Sequence, residues 1–183
     1  MTKSLGNDRL AGESYLGLLL RYKQWAEDIA YDSVSAIGLE EALRSRATTF
    51  GNIVMTLNHI HVVDDIFWHH LVGRRHGYTQ RNTDTIPDLA ALRTAARHLN
   101  KRLRSLAQSW TAYEEREPVA FEFVGGGTGK MSRGQIILHL VNHSTYHRGF
   151  VGDMLKQVPY LWEANDLTVF LCNHVSMTQG DAY

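Results

Sequence analysis

The sequence predicts an all-α protein, a four-helix bundle, and three observations carry that expectation. Apolar residues recur at spacings of three and four through long stretches, the period of amphipathic helices. Only three prolines occur, Pro87, Pro118 and Pro159, and they stand between those stretches rather than inside them. A single segment, PVAFEFVGGGTGKMSRGQ, alternates with period two and then turns on glycines. A chain of 183 residues is long enough to bury roughly two-thirds of its unfolded surface in one core. One domain over residues 1–183 is therefore expected.

A first helix is expected over about residues 12–37, with Tyr15, Leu18, Leu19, Tyr22, Trp25, Ala26 and Ile29 on one face. A second spans about 47–73, where Thr48 or Thr49 can cap the start and Gly73 can end it in the left-handed conformation. The third follows TDTIPD, with Thr85 as N-cap and Pro87 in the first turn. Leu89, Leu92, Ala96, Leu99, Leu103 and Leu106 continue its stripe toward Glu115. The glycine-rich segment is then a short hairpin or extended crossover. Ser132 and Gln135 form a capping-box pattern that opens a fourth helix over about 133–157, ending before Pro159. A short C-terminal helix over about 164–172 closes the chain.

Composition excludes several functions. Lysine plus arginine and aspartate plus glutamate both number 19, so no net field draws in nucleic acid or an anionic membrane surface. The lone Cys172 excludes an internal disulfide, a thiolate zinc cluster and a CxxC pair, and suits a reducing compartment, so a cytoplasmic location is expected. The N-terminus lacks the apolar stretch of a signal peptide, and no run reaches the roughly twenty apolar residues of a membrane span. GTGK is not a phosphate loop: Val124 stands where that motif needs glycine, and Met131 follows the lysine where it needs Ser or Thr. The chain has no Glu-x-x-His, which argues against a carboxylate-bridged di-iron bundle.

The chemistry lies in the histidines. HLVNHSTYHRG, residues 139–149, sets three of the chain's 10 histidines four positions apart. Residues four apart on a helix sit about 6 Å apart along the axis on one face, so two such imidazoles can address one cation. About 12 Å of helix separates His139 from His147, so the bonded pair is either His139 with His143 or His143 with His147, and spacing does not choose. In TLNHIHVVDDIFWHHL, projection groups His59 with Met55, Val62, Val63 and Ile66 and turns His61 away, making His59 the inward histidine. Three imidazoles around one divalent ion leave a coordination position open, an arrangement that usually serves chemistry rather than structure. His69, His70, His76, His98 and His174 are expected at the surface or at helix ends. Phe67 and Trp68 are expected in the core or an interface.

FGNIVMTLNHIHVVDDIFWHHL, then LHLVNHSTYHRGFVGDMLKQ, then NDLTVFL, resembles the DinB (damage-inducible B) family of four-helix-bundle metalloproteins. The likeness runs from YKQW at residues 22–25 to Phe170, and its most specific block is NHxxxHRG. It implies a DinB-like bundle holding a divalent metal ion, zinc or nickel, through His59, His143 and His147, with His139 as a neighbour. It also implies that Arg148 holds a carboxylate, with Asp166 a candidate partner, and that Gly149 lets helices approach. A homodimer acting on a small-molecule substrate is expected. Related folds use low-molecular-weight thiols, so the resemblance implies a transferase or isomerase with a thiolate nucleophile. A metal-dependent hydrolase using Asp64 or Asp65 as base, and a non-catalytic stress-response or binding bundle, are the alternatives. No catalytic residue is assigned.

Overall fold

The computed structural model describes residues 13–160 and 162–175. Its elements are α1 (Tyr15–Ala36), α2 (Leu39–Leu43), α3 (Ile53–Leu71), α4 (Leu89–Gln108), β1 (Pro118–Glu122), β2 (Thr128–Ser132), α5 (Arg133–Leu155) and α6 (Leu167–His174). α1 and α3 each pack against both α4 and α5, so the four long helices close into a bundle. Among the described residues, no helix is long and apolar enough to cross a membrane.

Two apolar clusters fill the bundle, one at each end. Leu20, Tyr22, Phe67, Leu103, Ile136 and Leu140 belong to the first, and Val34, Ile53, Leu57, Leu92, Val151 and Leu155 to the second. The first cluster takes the N-terminal halves of α1 and α5 and the C-terminal halves of α3 and α4. The helices of the first pair therefore run opposite to those of the second.

Between the clusters lies a polar layer. Lys23, Glu27, Asp64, Asn100, Ser144 and Arg148 are all buried there, one or two from each helix. This layer corrects the face expected for α1. Tyr15 is 86% exposed, while Lys23 and Glu27 point inward with Leu20, Ala26, Ala30 and Val34. An apolar count misses the true face because it assigns Lys23 and Glu27 to solvent.

Helix starts differ from expectation for a local reason. The caps are Ser14, Asn52 and Asp88, whose side chains accept from the backbone N–H of Gly17, Met55 and Ala91. Asn52, after the turn at Gly51 (φ +78°), replaces Thr48 or Thr49, and Asp88 replaces Thr85, so Pro87 precedes the helix instead of opening it. α4 stops at Gln108, and residues 114–116 form a separate 3-10 turn. α2, only five residues long, escapes a periodicity argument altogether.

The hairpin and the fourth bundle helix follow the sequence closely. β1 pairs antiparallel with β2 in the register Pro118↔Ser132 to Glu122↔Thr128, and Gly125, Gly126 and Gly127 at the tip all have positive φ. Phe121 pins the hairpin to α3, its ring centroid 5.3 Å from that of Phe67. Ser132 is both the last residue of β2 and the N-cap of α5. Its hydroxyl accepts from Gln135 N–H, and the Gln135 side chain accepts from Ser132 N–H. α6 begins three residues later than expected, and Phe170 anchors it against Tyr22 and Trp25 of α1.

Candidate metal centre

His59 sits near the middle of α3, and His143 and His147 stand one turn apart on α5, facing it. One ring nitrogen from each comes within 4.8 Å of the others. The Nε2 atoms of His59 and His143 are 3.1 Å apart. His59 is 4% exposed, His147 8% and His143 half-buried. His139 lies on the next turn with its ring 5.6 Å from that of His143 and 4.9 Å from that of Phe67, and it does not join the cluster. Of the two pairs that spacing permits, the structure brings the second together with His59.

Neighbours orient these rings. Nδ1 of His59 lies 2.7 Å from the carbonyl oxygen of Arg81, so it carries the proton and donates, which leaves Nε2 with its lone pair aimed at the other two rings. The Arg81 segment is itself docked: the buried Asn58 amide donates to Asn82 Oδ1 at 3.1 Å and to Thr83 Oγ1 at 2.8 Å. Phe50 stacks on His59 with centroids 4.2 Å apart and reaches His147 at 5.5 Å. Tyr146 and Phe150 flank His147 from its own helix.

Electrostatics keep the cluster neutral. Burial, reinforced by the facing His147 and His59, pushes His143 down to about 2, and burial with His59 brings His147 down to about 4. His59 is also lowered, chiefly by burial. The rings are thus imidazoles at neutral pH, the form that binds cations. Nδ1 of His143 and of His147 are buried without a hydrogen-bond partner. Neutral lone pairs converging with so little internal satisfaction are compatible with a divalent cation.

The acidic candidates lie elsewhere. Asp64 accepts from Lys23 Nζ at 2.5 Å, deep in the polar layer. Burial and nearby Glu27 push it up to about 7 against the opposing pull of Lys23. Asp65 faces the other way and accepts from Tyr78 OH at 3.0 Å. Neither touches the three histidines.

Arg148 differs from expectation too. It is buried and donates to Ser144 Oγ at 2.7 Å, Tyr22 OH at 3.0 Å and Thr145 Oγ1 at 3.2 Å, with no bond to Asp166. It reaches a carboxylate only through Ser144, whose hydroxyl donates to Glu27 Oε1 at 2.6 Å. Gly149 is exposed, with nothing within 4 Å of where a Cβ would stand. Close approach occurs one turn on, at Gly152, where a Cβ would come 3.0 Å from the Trp162 ring.

Lys23 is the functional-looking residue that sequence reasoning missed. Its three N–H groups serve Asp64, Asn100 Oδ1 at 2.8 Å and Glu27 Oε1 at 2.7 Å, so the ammonium is fully satisfied at 0% exposure. Burial alone would lower its pKa, but Asp64 and Glu27 outweigh that and raise it. The sequence signal is Lys23 and Glu27 at i and i+4 on a helix whose other inward positions are mostly apolar.

Fold and site together define a helical-bundle protein with a buried three-histidine cluster suited to a divalent cation. The family model of the DinB family matches residues 2–173, and the chain belongs to that family. It is 22% identical over 161 residues to Protein DinB of Bacillus subtilis (strain 168), covering 84% of this chain and 91% of that protein. The crystal structure of a DinB-like protein from Bacillus cereus ATCC 10987 superposes with a TM-score of 0.61 at 16% identity. That superposition covers 80% of this chain and 94% of the other.

Proposed function

We propose that this protein holds a divalent metal ion, zinc or nickel, through His59, His143 and His147 and uses it to transfer or isomerise groups with a low-molecular-weight thiol. The observation that carries the metal part is the convergence of three neutral imidazole nitrogens within 4.8 Å of one another. A nitrogen-only ligand set suits both metals. When bound, such an ion supplies Lewis acidity that lowers the pKa of a coordinated thiol toward neutrality.

The chain's own residues orient and enclose. Arg81 and Asn58 fix the His59 ring, while Phe50 stacks on His59 and Phe150 lies beside His147. In the transfer, the thiol gives up its proton, its sulfur bonds to an electrophilic carbon as the carbon–leaving-group bond breaks, and the leaving group departs with the electron pair and takes up, through solvent, the proton the thiol released. The placement of Asp64 on Lys23 and of Asp65 on Tyr78 weighs against the hydrolytic alternative, because neither carboxylate is positioned to serve as base at the cluster.

Purified protein should carry about one zinc or nickel per chain by elemental analysis, and His143→Ala should lose it; metal content unchanged in that variant rejects the ligand set. Metal-loaded protein is then offered thiols with alkylating electrophiles and, separately, esters and amides. Thiol-dependent turnover supports transfer, and turnover without thiol supports hydrolysis. No turnover, with the metal raising only Tm, would indicate a non-catalytic bundle.

A further inference from the structure

The three imidazoles come from α3 and α5, and α1 contributes none of them. Buried polar bonds nevertheless fasten α1 to both of those helices. Lys23 Nζ donates to Asp64 Oδ2 of α3 at 2.5 Å, and Glu27 Oε1 accepts from Ser144 Oγ of α5 at 2.6 Å. Lys23 and Glu27, one turn apart on α1, are themselves bridged at 2.7 Å. A continuous polar chain therefore runs from α3 through α1 to α5. Asn100 of α4 closes it, accepting from Lys23 at 2.8 Å and donating to Glu27 at 2.6 Å.

The α5 end of this chain falls beside the ligands. Ser144 follows His143 and Arg148 follows His147, so each is turned about 100° around the helix from the ring before it. The rings meet α3, and their neighbours meet α1. Arg148 donates to Ser144 Oγ at 2.7 Å and to Tyr22 OH at 3.0 Å. α5 is thus tied to α1 at two successive turns, the same two that carry His143 and His147.

Small rotations matter at such a centre. A side chain at the helix surface lies about 5–6 Å from the axis, so turning α5 by about 10° displaces a ring nitrogen by about 1 Å. A binding constellation has to be held within about 0.5 Å, which is about 5° of rotation. Apolar burial is non-directional, so the directional restraint falls to the hydrogen bonds, which weaken steeply as their angles close.

We infer that Glu27, Ser144, Arg148 and Tyr22 are positioning residues for the three-histidine centre: anchored on the Lys23–Glu27 pair of α1, they set the rotation of α5 against α3. The inference rests on the metal reading above for its ligand. The placement of the rings does not depend on the ion and is tested without it as well.

Ser144→Ala and Tyr22→Phe each delete one hydroxyl, and with it one tie between α5 and α1, while leaving the three imidazoles in the chain. Val34→Ala, in the second apolar cluster, lowers stability without touching the polar chain and serves as control. Cobalt(II) affinity, measured by chelator competition, should fall about tenfold in each of the first two variants and about a hundredfold in their combination. The ligand-field bands of the bound cobalt should shift with it. Val34→Ala should lower Tm yet bind cobalt as wild type does, with its bands in place. Wild-type affinity and bands in both Ser144→Ala and Tyr22→Phe overturn the inference, and so does an equal loss in Val34→Ala, which would trace the effect to global stability.

In metal-free protein, the ring nitrogen chemical shifts of His143 and His147 should move in Ser144→Ala and Tyr22→Phe and stay in Val34→Ala. Should wild type take up no cobalt, the metal reading fails and this measurement alone decides the positioning role. Ring shifts unmoved in both variants would then reject it.

Discussion

The Nε2 atoms of His59 and His143 lie 3.1 Å apart although 84 residues separate them in sequence. Because Nδ1 of His59 is engaged by the Arg81 carbonyl, its Nε2 meets His143 as an acceptor. At that distance two bare lone pairs repel, so either the His143 proton or a shared cation must stand between them. His143→Ala is therefore expected to lower metal affinity by more than the roughly 100-fold ceiling typical of an outer-sphere change. Chelator competition against wild type measures it.

Asn58 acts on the cluster at one remove. Asn58→Ala removes both bonds that dock Asn82 and Thr83, freeing the segment whose carbonyl fixes the His59 ring. Metal affinity should fall about tenfold, and stability by about 1–3 kcal/mol from the polar groups left without partners. An unchanged affinity in the chelator assay would mean that the ring is held by Phe50 alone.

How much of this was legible beforehand follows from what periodicity can see. The four helices, the hairpin and the Ser132 capping box are local patterns, and local patterns were sufficient for them. The facing of His59 and His143 followed from helical phase, but the choice between His139 and His147 did not, because both lie one turn from His143. The caps at Asn52 and Asp88 were passed over for nearby threonines that make equally plausible local signals. Lys23 and Glu27 were invisible for a deeper reason: their burial depends on Asp64, Asn100 and Ser144 arriving from three other helices, and no window along one helix contains that information.

Lys23 compensates two buried carboxylates at once. Lys23→Met should destabilise the protein by about 3–5 kcal/mol, since Asp64 and Glu27 would be left without their cation. Adding Asp64→Leu should restore part of the loss, because Glu27 keeps its bonds from Asn100 and Ser144. Urea unfolding of the single and double variants gives both values.

Asp64 sets a pH dependence of stability. Its folded value is raised from 3.8 to about 7, so between those limits the folded state holds a proton that the unfolded state has released. The resulting stabilisation is complete below about pH 3.8 and is lost as pH rises through about 7. Asp64→Asn should remove that component, so the difference in unfolding free energy between wild type and variant should change steadily from pH 4 to 7 and level off above. A difference that stays constant over the same range would contradict the raised value.

The two glycines near the end of α5 should respond oppositely to alanine. Gly149→Ala adds a methyl group to open space on a helix and should stabilise by about 0.5–1 kcal/mol. Gly152→Ala forces the Trp162 ring to move and should lower Tm. Thermal unfolding of both variants decides it.

The direct passage of β2 into α5 at Ser132 ties ribbon register to helix rotation. No spare residue separates the last ladder pair from the first helical turn, so removing one residue from either strand would turn everything downstream by about 100° or force the ladder to slip. His143 and His147 would then sweep off the surface they share with His59. Length variation in this region is tolerable only at the glycine tip, where additional chain can loop outward, and lineages or designs that alter the strands themselves would have to rebuild the centre elsewhere.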